Sequence, residues 1–358
     1  MIEQRKALIV TLSIVCCSVL IEMFFLTFFV FVGEGALLKN RKSMAGKIDT
    51  IILGASHAQT SFSPIVLDEQ LDTHTYNVSV ASMTWDGRKA VIEDELRRNR
   101  LDKVILEISY NSMTRDAHDK AAKEGDLFTS FELEGFRKKI VYYFQHCFSP
   151  DVDAQLSELS RWGAFELKKI TISLLSGCGI ENAIISAHDS GGGNSLEERG
   201  FVSYTQSDLS LKESEYKDYQ SDRIQTNWNG ENVAVCDQII EMCQESGAEV
   251  IIVVTPIALS TIWKRAGWDD FYYDLSSYAK LKNCTVYDFN LLKNREQLYN
   301  DVNSFHDGNH MCRDGALRFS EAYSKIVSSN EPIDDLFYDS YETLISECSY
   351  TNRLQVIR

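Results

Sequence analysis

The sequence lacks an excess of basic residues, a zinc-type cysteine spacing and a phosphate-binding loop. Lys and Arg total 36 against 52 Asp and Glu, so the formal net charge is −16. Without a basic stripe outside the juxtamembrane region, the chain is not expected to bind nucleic acid. The run Gly191 to Gly193 is not followed by the Walker Lys-Ser or Lys-Thr pair and does not closely follow a predicted strand, so it is not a phosphate cradle.

The cysteines do not indicate a disulfide framework. Nine are present, and none forms a C-x-x-C pair. Cys16 and Cys17 lie in an apolar run, which leaves an odd number outside it, so neither essential disulfides nor a structural zinc is predicted. The pattern around Cys236 and Cys243 predicts a helix that buries both. The remaining cysteines are Cys147, Cys178, Cys284, Cys312 and Cys348.

An apolar run near the N-terminus predicts a membrane anchor. Residues Ala7 to Val32 form a stretch of 26 residues that only Glu22 interrupts. This length spans a bilayer with some tilt. A cleaved signal peptide is the alternative, but the run is too long for one and no small-residue cleavage site is clear. We therefore predict an uncleaved transmembrane helix within residues 1–33, followed by a basic linker over residues 34–47.

Charged residues around the span leave its orientation and its partners open. By the positive-inside rule, the count of flanking basic residues taken alone favours a cytoplasmic C-terminal domain. Glu22 is costly at a helix centre and is either a protonated or snorkelling carboxylate, or a contact with another membrane protein. The flanking basic residues are Arg5 and Lys6 before the span and Lys39, Arg41, Lys42 and Lys47 after it.

The remaining pattern alternates strands with helices. A chain of 358 residues with 44% hydrophobic content can build one large α/β domain. The alternation predicts a doubly wound, mainly parallel sheet in three α/β/α layers, over residues 48–330. A helical insertion interrupts it at about 112–226, and an acidic tail covers 331–358. Predicted strands are 48–53, 75–80, 103–109, 249–255 and 285–289; predicted helices are 63–71, 86–100, 231–245, 271–281 and a final one from about 314.

Two short motifs predict a nucleophile, a base and a residue that orients the base. Ser56 follows the first strand in Gly54-Ala55-Ser56-His57, and Asp307-Gly-Asn-His310 precedes the last predicted helix. A serine hydroxyl is a weak nucleophile that needs a base within hydrogen-bond reach. Functional groups in open parallel sheets gather at the carboxyl ends of the strands, where Ser56, Asn111, Asp307 and His310 are all expected.

These motifs resemble the blocks of the SGNH (GDSL-like) hydrolase superfamily. Its strand and Gly-Asp-Ser block is matched by IILGASHAQTSFSP, and its final Asp-x-x-His by Asp307 and His310. The segment YNVSVASM places Ser82 at the usual oxyanion glycine, and VILEISYNSM places Asn111 at the oxyanion asparagine. The resemblance implies Ser56 as nucleophile, His310 as base, Asp307 as orienter, and an oxyanion hole from Ser56, Ser82 and Asn111. It covers roughly residues 48–111 and 230–328.

The departures from the family pattern lie at or beside the site residues. Ala55 replaces the usual Asp, Ser82 a glycine, and Tyr110 a small residue before Asn111. Together with the anchor, they are similar to the extracytoplasmic branch that includes the teichoic-acid D-alanylation protein DltD and the alginate O-acetylation proteins. This resemblance implies an acyltransferase or esterase for a cell-envelope glycan, beside a polytopic membrane-bound O-acyltransferase, with its domain outside the cytoplasm.

Three alternatives stay open at this point. The chain is either an enzyme without metal or organic cofactor, or a catalytically silent subunit that presents glycan to a membrane acyltransferase. The loop charges alone favour a third possibility, a protein facing the cytoplasm. His306, Asp307 and His310 are also possible metal ligands, although no fourth ligand is evident. His57 is expected to support the site from behind or to lie at the surface.

Overall fold

The computed structural model describes residues 44–81, 83–114, 199–329 and 331–348. All of them belong to one compact unit formed by residues 40–119 and 192–358. The predicted anchor, most of the linker, Ser82 and residues 115–198 of the predicted insertion lie outside these ranges. Within them, no helix has both the length and the apolar character that crossing a bilayer requires.

The central element is a five-stranded sheet in which every pairing is parallel. Its strand order is β2-β1-β3-β5-β7, and β4 pairs with β6 separately, also in parallel. The apolar side chains of β1, β3 and β5 are almost all buried, as expected for strands covered on both faces. The strands are β1 Thr50–Leu53, β2 Thr75–Asn77, β3 Lys103–Glu107, β4 Asp222–Arg223, β5 Glu249–Val254, β6 Arg265–Ala266 and β7 Thr285–Asp288.

Helices lie between these strands and after β7. They are α1 Ser56–Ser61, α2 Pro64–Leu71, α3 Trp85–Arg98, α4 Gly230–Glu245, α5 Leu259–Lys264, α6 Trp268–Leu281, α7 Arg295–Leu298, α8 Arg313–Val327, α9 Ile333–Leu336 and α10 Tyr341–Glu347, with 3-10 helices at Glu213–Asp218 and Phe289–Leu291. Helix α3 packs on α4, while α8 packs on α1 and α2. This grouping is consistent with three α/β/α layers.

The strand order reverses between β1 and β3. The chain adds β2 on one side of β1 and then continues with β3, β5 and β7 on the other side. Where the direction of strand addition reverses, the connections leave the sheet on opposite faces and open a binding crevice at the carboxyl ends. Ser56 follows β1 and Asn111 follows β3, so both lie at this reversal.

The predicted α/β alternation with a mainly parallel sheet is confirmed, with differences at element ends. The second strand stops at Asn77, and α3 begins at Trp85 because the Thr84 side chain accepts the Gly87 N–H. Cys236 and Cys243 are buried on α4, as predicted. The five cysteines that the structure describes, which include these two, are free.

The prediction that α8 is the last helix is wrong, since α9 and α10 follow it. The tail has little periodicity, yet it contacts the domain through specific side chains. Tyr341 is 1% exposed, and its hydroxyl donates to Asp288 at 2.7 Å. Of the predicted helical insertion, the described residues 199–226 hold only a 3-10 helix and β4.

Candidate active site

The segment after β1 turns sharply from strand into helix and leaves Ser56 at the rim of the sheet. Ser56 is the first residue of α1 and is partly exposed. Gly54 makes the turn possible: a Cβ there would lie 2.6 Å from the Ala58 Cβ and 2.7 Å from the Glu107 Cβ. Such distances are far inside van der Waals contact, so only glycine fits between strand and helix.

Ser56, His310 and Asp307 form a continuous hydrogen-bonded relay. His310 Nε2 lies 2.8 Å from Ser56 Oγ, and His310 Nδ1 lies 2.9 Å from each carboxylate oxygen of Asp307. An ionised carboxylate only accepts, so Nδ1 carries the ring proton and the lone pair of Nε2 faces the serine hydroxyl. The structure thus brings Ser56 together with two residues that lie some 250 positions later in the sequence.

The Asp307 carboxylate is held in place by the turn it begins. Its Oδ1 also accepts the backbone N–H groups of Asn309 at 2.8 Å and His310 at 3.0 Å. Burial raises the pKa of Asp307, but hydrogen bonds from the His310 ring and the Asn309 N–H outweigh burial and hold the pKa below its usual range. Asp307 is therefore ionised at neutral pH, as an orienter of a histidine must be.

The loop that carries His310 is fastened to the start of α5. The Ala258 N–H donates to the Gly308 carbonyl at 3.1 Å. The buried Asp301 accepts the N–H groups of Leu259 and Ser260, each at 2.7 Å. Within the loop, the His306 N–H donates to the His310 carbonyl at 2.8 Å. These bonds fix the height of the histidine above the sheet.

Two of the three predicted oxyanion residues, Ser56 and Asn111, lie within the described part of the chain. The Ser56 N–H lies in the first turn of α1, where backbone donors have no helical acceptor. Asn111 lies in the turn after β3, where its Oδ1 accepts the Ser109 hydroxyl at 3.0 Å. No hydrogen bond between described residues joins Asn111 to Ser56 or His310. Ser82 lies outside the described residues.

Tyr110 links the turn after β3 to the histidine loop. Its hydroxyl donates to Asn309 Oδ1 at 3.3 Å and accepts from Arg265 Nη1 at 2.6 Å. Its ring packs edge-on against Trp268, with centroids 5.0 Å apart. This tyrosine, noted in the sequence only as a departure from the family pattern, joins two of the loops that build the site.

Aromatic rings flank His310 on two sides. His57 is 6% exposed and meets His310 edge-on at 5.4 Å between ring centroids, which agrees with a supporting place behind the base. Tyr204 meets His310 edge-on at 6.1 Å and stacks on His306 at 4.7 Å. Tyr204 was not predicted, because its segment was assigned to the insertion and carries no motif.

The alternative of a metal site finds no support in the side-chain positions. His306 Nδ1 lies 2.9 Å from the Thr205 carbonyl oxygen, and both carboxylate oxygens of Asp307 are engaged by His310. Among the described residues, no three His, Cys, Asp or Glu side chains converge as ligands of one ion. The arrangement is suited to proton transfer between neighbouring groups.

A buried ion pair lies behind the nucleophile turn and was not predicted. Glu107, the last residue of β3, is fully buried, and its Oε2 accepts the Ala55 N–H at 3.2 Å. Arg88 on α3 lies 3.6 Å from the same oxygen and donates to the Glu107 carbonyl at 2.7 Å. Burial raises the pKa of Glu107, and the Arg88 cation opposes this. The only sequence signal was an acidic residue inside an apolar strand.

Comparisons with known proteins do not assign the chain to a family. A scan against protein-family models finds no match, and a search of curated proteins finds no significant match. The resemblance to SGNH hydrolases therefore depends on the motifs, and the chemistry of the site is argued from its geometry.

Proposed function

We propose that this protein is a serine-dependent O-acyltransferase or esterase of the SGNH type. It modifies an extracytoplasmic polysaccharide or cell-envelope glycan through an acyl-serine intermediate. The observation that carries the proposal is the relay from Ser56 through His310 to Asp307, with a 2.8 Å contact between nucleophile and base. A serine that serves only as a helix cap needs neither the histidine nor the oriented carboxylate.

The relay supplies each proton that acyl transfer requires. As Ser56 Oγ attacks the ester carbonyl, its proton passes to His310 Nε2, and Asp307 stabilises the imidazolium that forms. Collapse of the tetrahedral species breaks the bond to the alcohol leaving group, which takes the proton from His310. In the second half, His310 removes a proton from the acceptor, a sugar hydroxyl for transfer or water for hydrolysis, as the acceptor oxygen attacks the acyl carbon. The bond to Ser56 Oγ then breaks, and Oγ regains its proton from His310.

The oxyanion formed in each half-reaction needs donors on the far side of the carbonyl. We assign this role to the backbone N–H groups of Ser56 and Ser82 and to the amide of Asn111. The Ser109 hydroxyl donates to Asn111 Oδ1 and so orients the amide, whose NH₂ group is the donor that an oxyanion needs. The chemistry then uses only protein groups, without a metal or an organic cofactor.

The first test is covalent labelling of the nucleophile. Full-length protein in detergent is treated with a fluorophosphonate probe, and the burst with p-nitrophenyl acetate is followed in parallel. Wild-type protein should label at Ser56 and show a burst. The turnover of Ser56→Ala should be lower by at least about 1,000-fold. Ser221→Ala, at an exposed serine, is the matched control. Near-normal turnover of Ser56→Ala on a confirmed substrate would refute the assignment.

The rival function is a catalytically silent subunit that presents glycan to a membrane acyltransferase. Ala55 and Ser82, which depart from the family pattern, are the observations that favour it. A silent subunit would bind glycan but show neither a burst nor labelling at Ser56. An acyl-serine adduct of Ser56, found by mass spectrometry after incubation with an acyl donor, would exclude this rival.

We further propose an anchor that holds the domain outside the cytoplasm, beside a polytopic O-acyltransferase. The resemblance favours this side of the membrane, against the simple charge count, and Lys39 to Lys47 would then face anionic lipid at about 1 kcal/mol per basic residue. Glu22 would find a donor in the partner. Intramembrane polar contacts average only about 0.6 kcal/mol, so Glu22→Leu should weaken co-purification without abolishing it. Unchanged recovery and unchanged glycan acylation would place Glu22 outside the interface.

A further inference from the structure

We propose that Glu107 is a positioning residue for the nucleophile: its carboxylate holds the peptide N–H of Ala55 and thereby sets the direction in which Ser56 leaves β1. The inference rests on the proposed serine chemistry and adds to it a residue that does not touch the reacting atoms. It assigns a function to an acidic side chain that the catalytic relay leaves unused.

The contact lies directly behind the nucleophile. Glu107 Oε2 accepts the N–H of Ala55, the residue that precedes Ser56, at 3.2 Å. The backbone there approaches so closely that a Cβ on Gly54 would lie 2.7 Å from the same Oε2. The carboxylate and the turn are therefore in contact over two consecutive residues. A shift of the carboxylate must move the turn.

Stability alone does not explain a charged pair at this position. Replacing a buried ion pair by apolar side chains of similar volume is often neutral or stabilising, because both charges must be desolvated. Glu107 and Arg88 are 0% and 1% exposed. Arg88 offsets the acidic charge and also lies 4.4 Å above the ring of Trp85. An arginine remains charged when buried, so Arg88 favours the carboxylate form of Glu107.

The acceptor matters because it holds the turn at the residue immediately before the nucleophile. Ala55 is the N-cap of α1 and makes no side-chain cap bond, so the start of this helix is oriented by backbone contacts. Glu107 supplies one of them from the neighbouring strand, at the reversal of strand order. Ser56 Oγ lies 2.8 Å from His310, and a misplacement of about 1 Å slows such a reaction by about 100-fold.

The test separates the acceptor from the charge. Arg88→Met/Glu107→Gln removes the ion pair but keeps an acceptor of the same reach, while Arg88→Met/Glu107→Leu removes both. The rate of Ser56 labelling by a fluorophosphonate is compared in the full-length protein, normalised to the folded fraction from circular dichroism. Asp94→Asn is the control for loss of a buried, arginine-paired carboxylate, since Asp94 bonds Arg97 and Arg98 within α3.

The proposal expects the Gln variant to label within a few-fold of wild type and the Leu variant to label about 10- to 100-fold more slowly. Equal rates in the two variants, whether fast or slow, would overturn it. If the Leu variant does not fold, Glu107→Asp takes its place, because the shorter aspartate keeps the charge but cannot reach the Ala55 N–H. If Glu107→Asp labels as fast as the Gln variant, the proposal is again overturned. Wild-type protein that does not label at all would instead refute the proposed function.

Discussion

One added methyl group at Gly308 is expected to slow the reaction of Ser56 by displacing His310. A Cβ at position 308 would lie 2.4 Å from Thr261 Oγ1, whereas ordinary contact begins at 3.4 Å, so the loop and α5 must separate by about 1 Å. Thr261 is β-branched and lies in α5, where its χ1 angle is restricted, so turning Oγ1 away is itself costly. His310 follows two residues later, and its 2.8 Å bond to Ser56 would lengthen beyond hydrogen-bond reach.

Gly308→Ala is expected to lower both the stability of the fold and the labelling rate of Ser56, and the two effects are measured separately. Overpacking lowers the free energy of unfolding by about 1–3 kcal/mol. Misplacement of the base by about 1 Å slows labelling of Ser56 by about 100-fold. Thermal denaturation reports the first, and fluorophosphonate labelling of the folded protein reports the second. Gly230→Ala is the matched control, because a Cβ there meets no atom within 4 Å.

A compensating variant makes this reasoning refutable. Thr261→Ala removes Oγ1, and the remaining Cβ of residue 261 lies 3.7 Å from the position of the added methyl carbon, which is ordinary contact. Gly308→Ala/Thr261→Ala should therefore recover most of the labelling rate that Gly308→Ala loses. Wild-type labelling by Gly308→Ala, or a double variant as slow as the single one, would show that this contact does not set the position of His310.

Asp307→Asn should lower turnover by about 10³- to 10⁴-fold because His310 loses the acceptor that fixes its tautomer. The circular dichroism spectrum should stay that of the wild type, and a loss of secondary structure would attribute the effect to misfolding. Burial raises the pKa of Asp288 from 3.8 to about 6, so the unfolding free energy should fall by about 3 kcal/mol as pH rises through that window. Urea denaturation between pH 4 and 7 should show this slope in wild type and not in Asp288→Asn, and parallel curves would refute it. Protease added to intact cells or spheroplasts should digest residues 48–358, and full protection until lysis would place the domain in the cytoplasm.

The parallel α/β class of the sheet and the three residues of the relay could be predicted from local patterns in the sequence. Strand β1 is continuously apolar from Ile51 to Leu53 because parallel strands are covered on both faces, so its pattern is visible in the sequence alone. The Asp-x-x-His spacing is similarly local, since Asp307 bonds the N–H of residue 310 as well as its ring. The rule that functional groups gather at the carboxyl ends of strands then placed Ser56 and His310 at one rim.

The side chains around the relay could not be predicted, because they come from distant segments that meet only in the folded chain. Glu107 reaches the nucleophile turn, and Tyr204 reaches the histidine, across more than 50 and more than 100 positions of sequence. Tail residue Tyr341 likewise bonds Asp288 although its own segment has weak periodicity. Each of these contacts depends on the register of one strand or the path of one loop. A local sequence pattern predicts which face of a strand or helix a residue occupies, but it does not predict which distant residue packs there. The directions of the oxyanion donors depend on such partners too, as the bond from Ser109 to Asn111 illustrates.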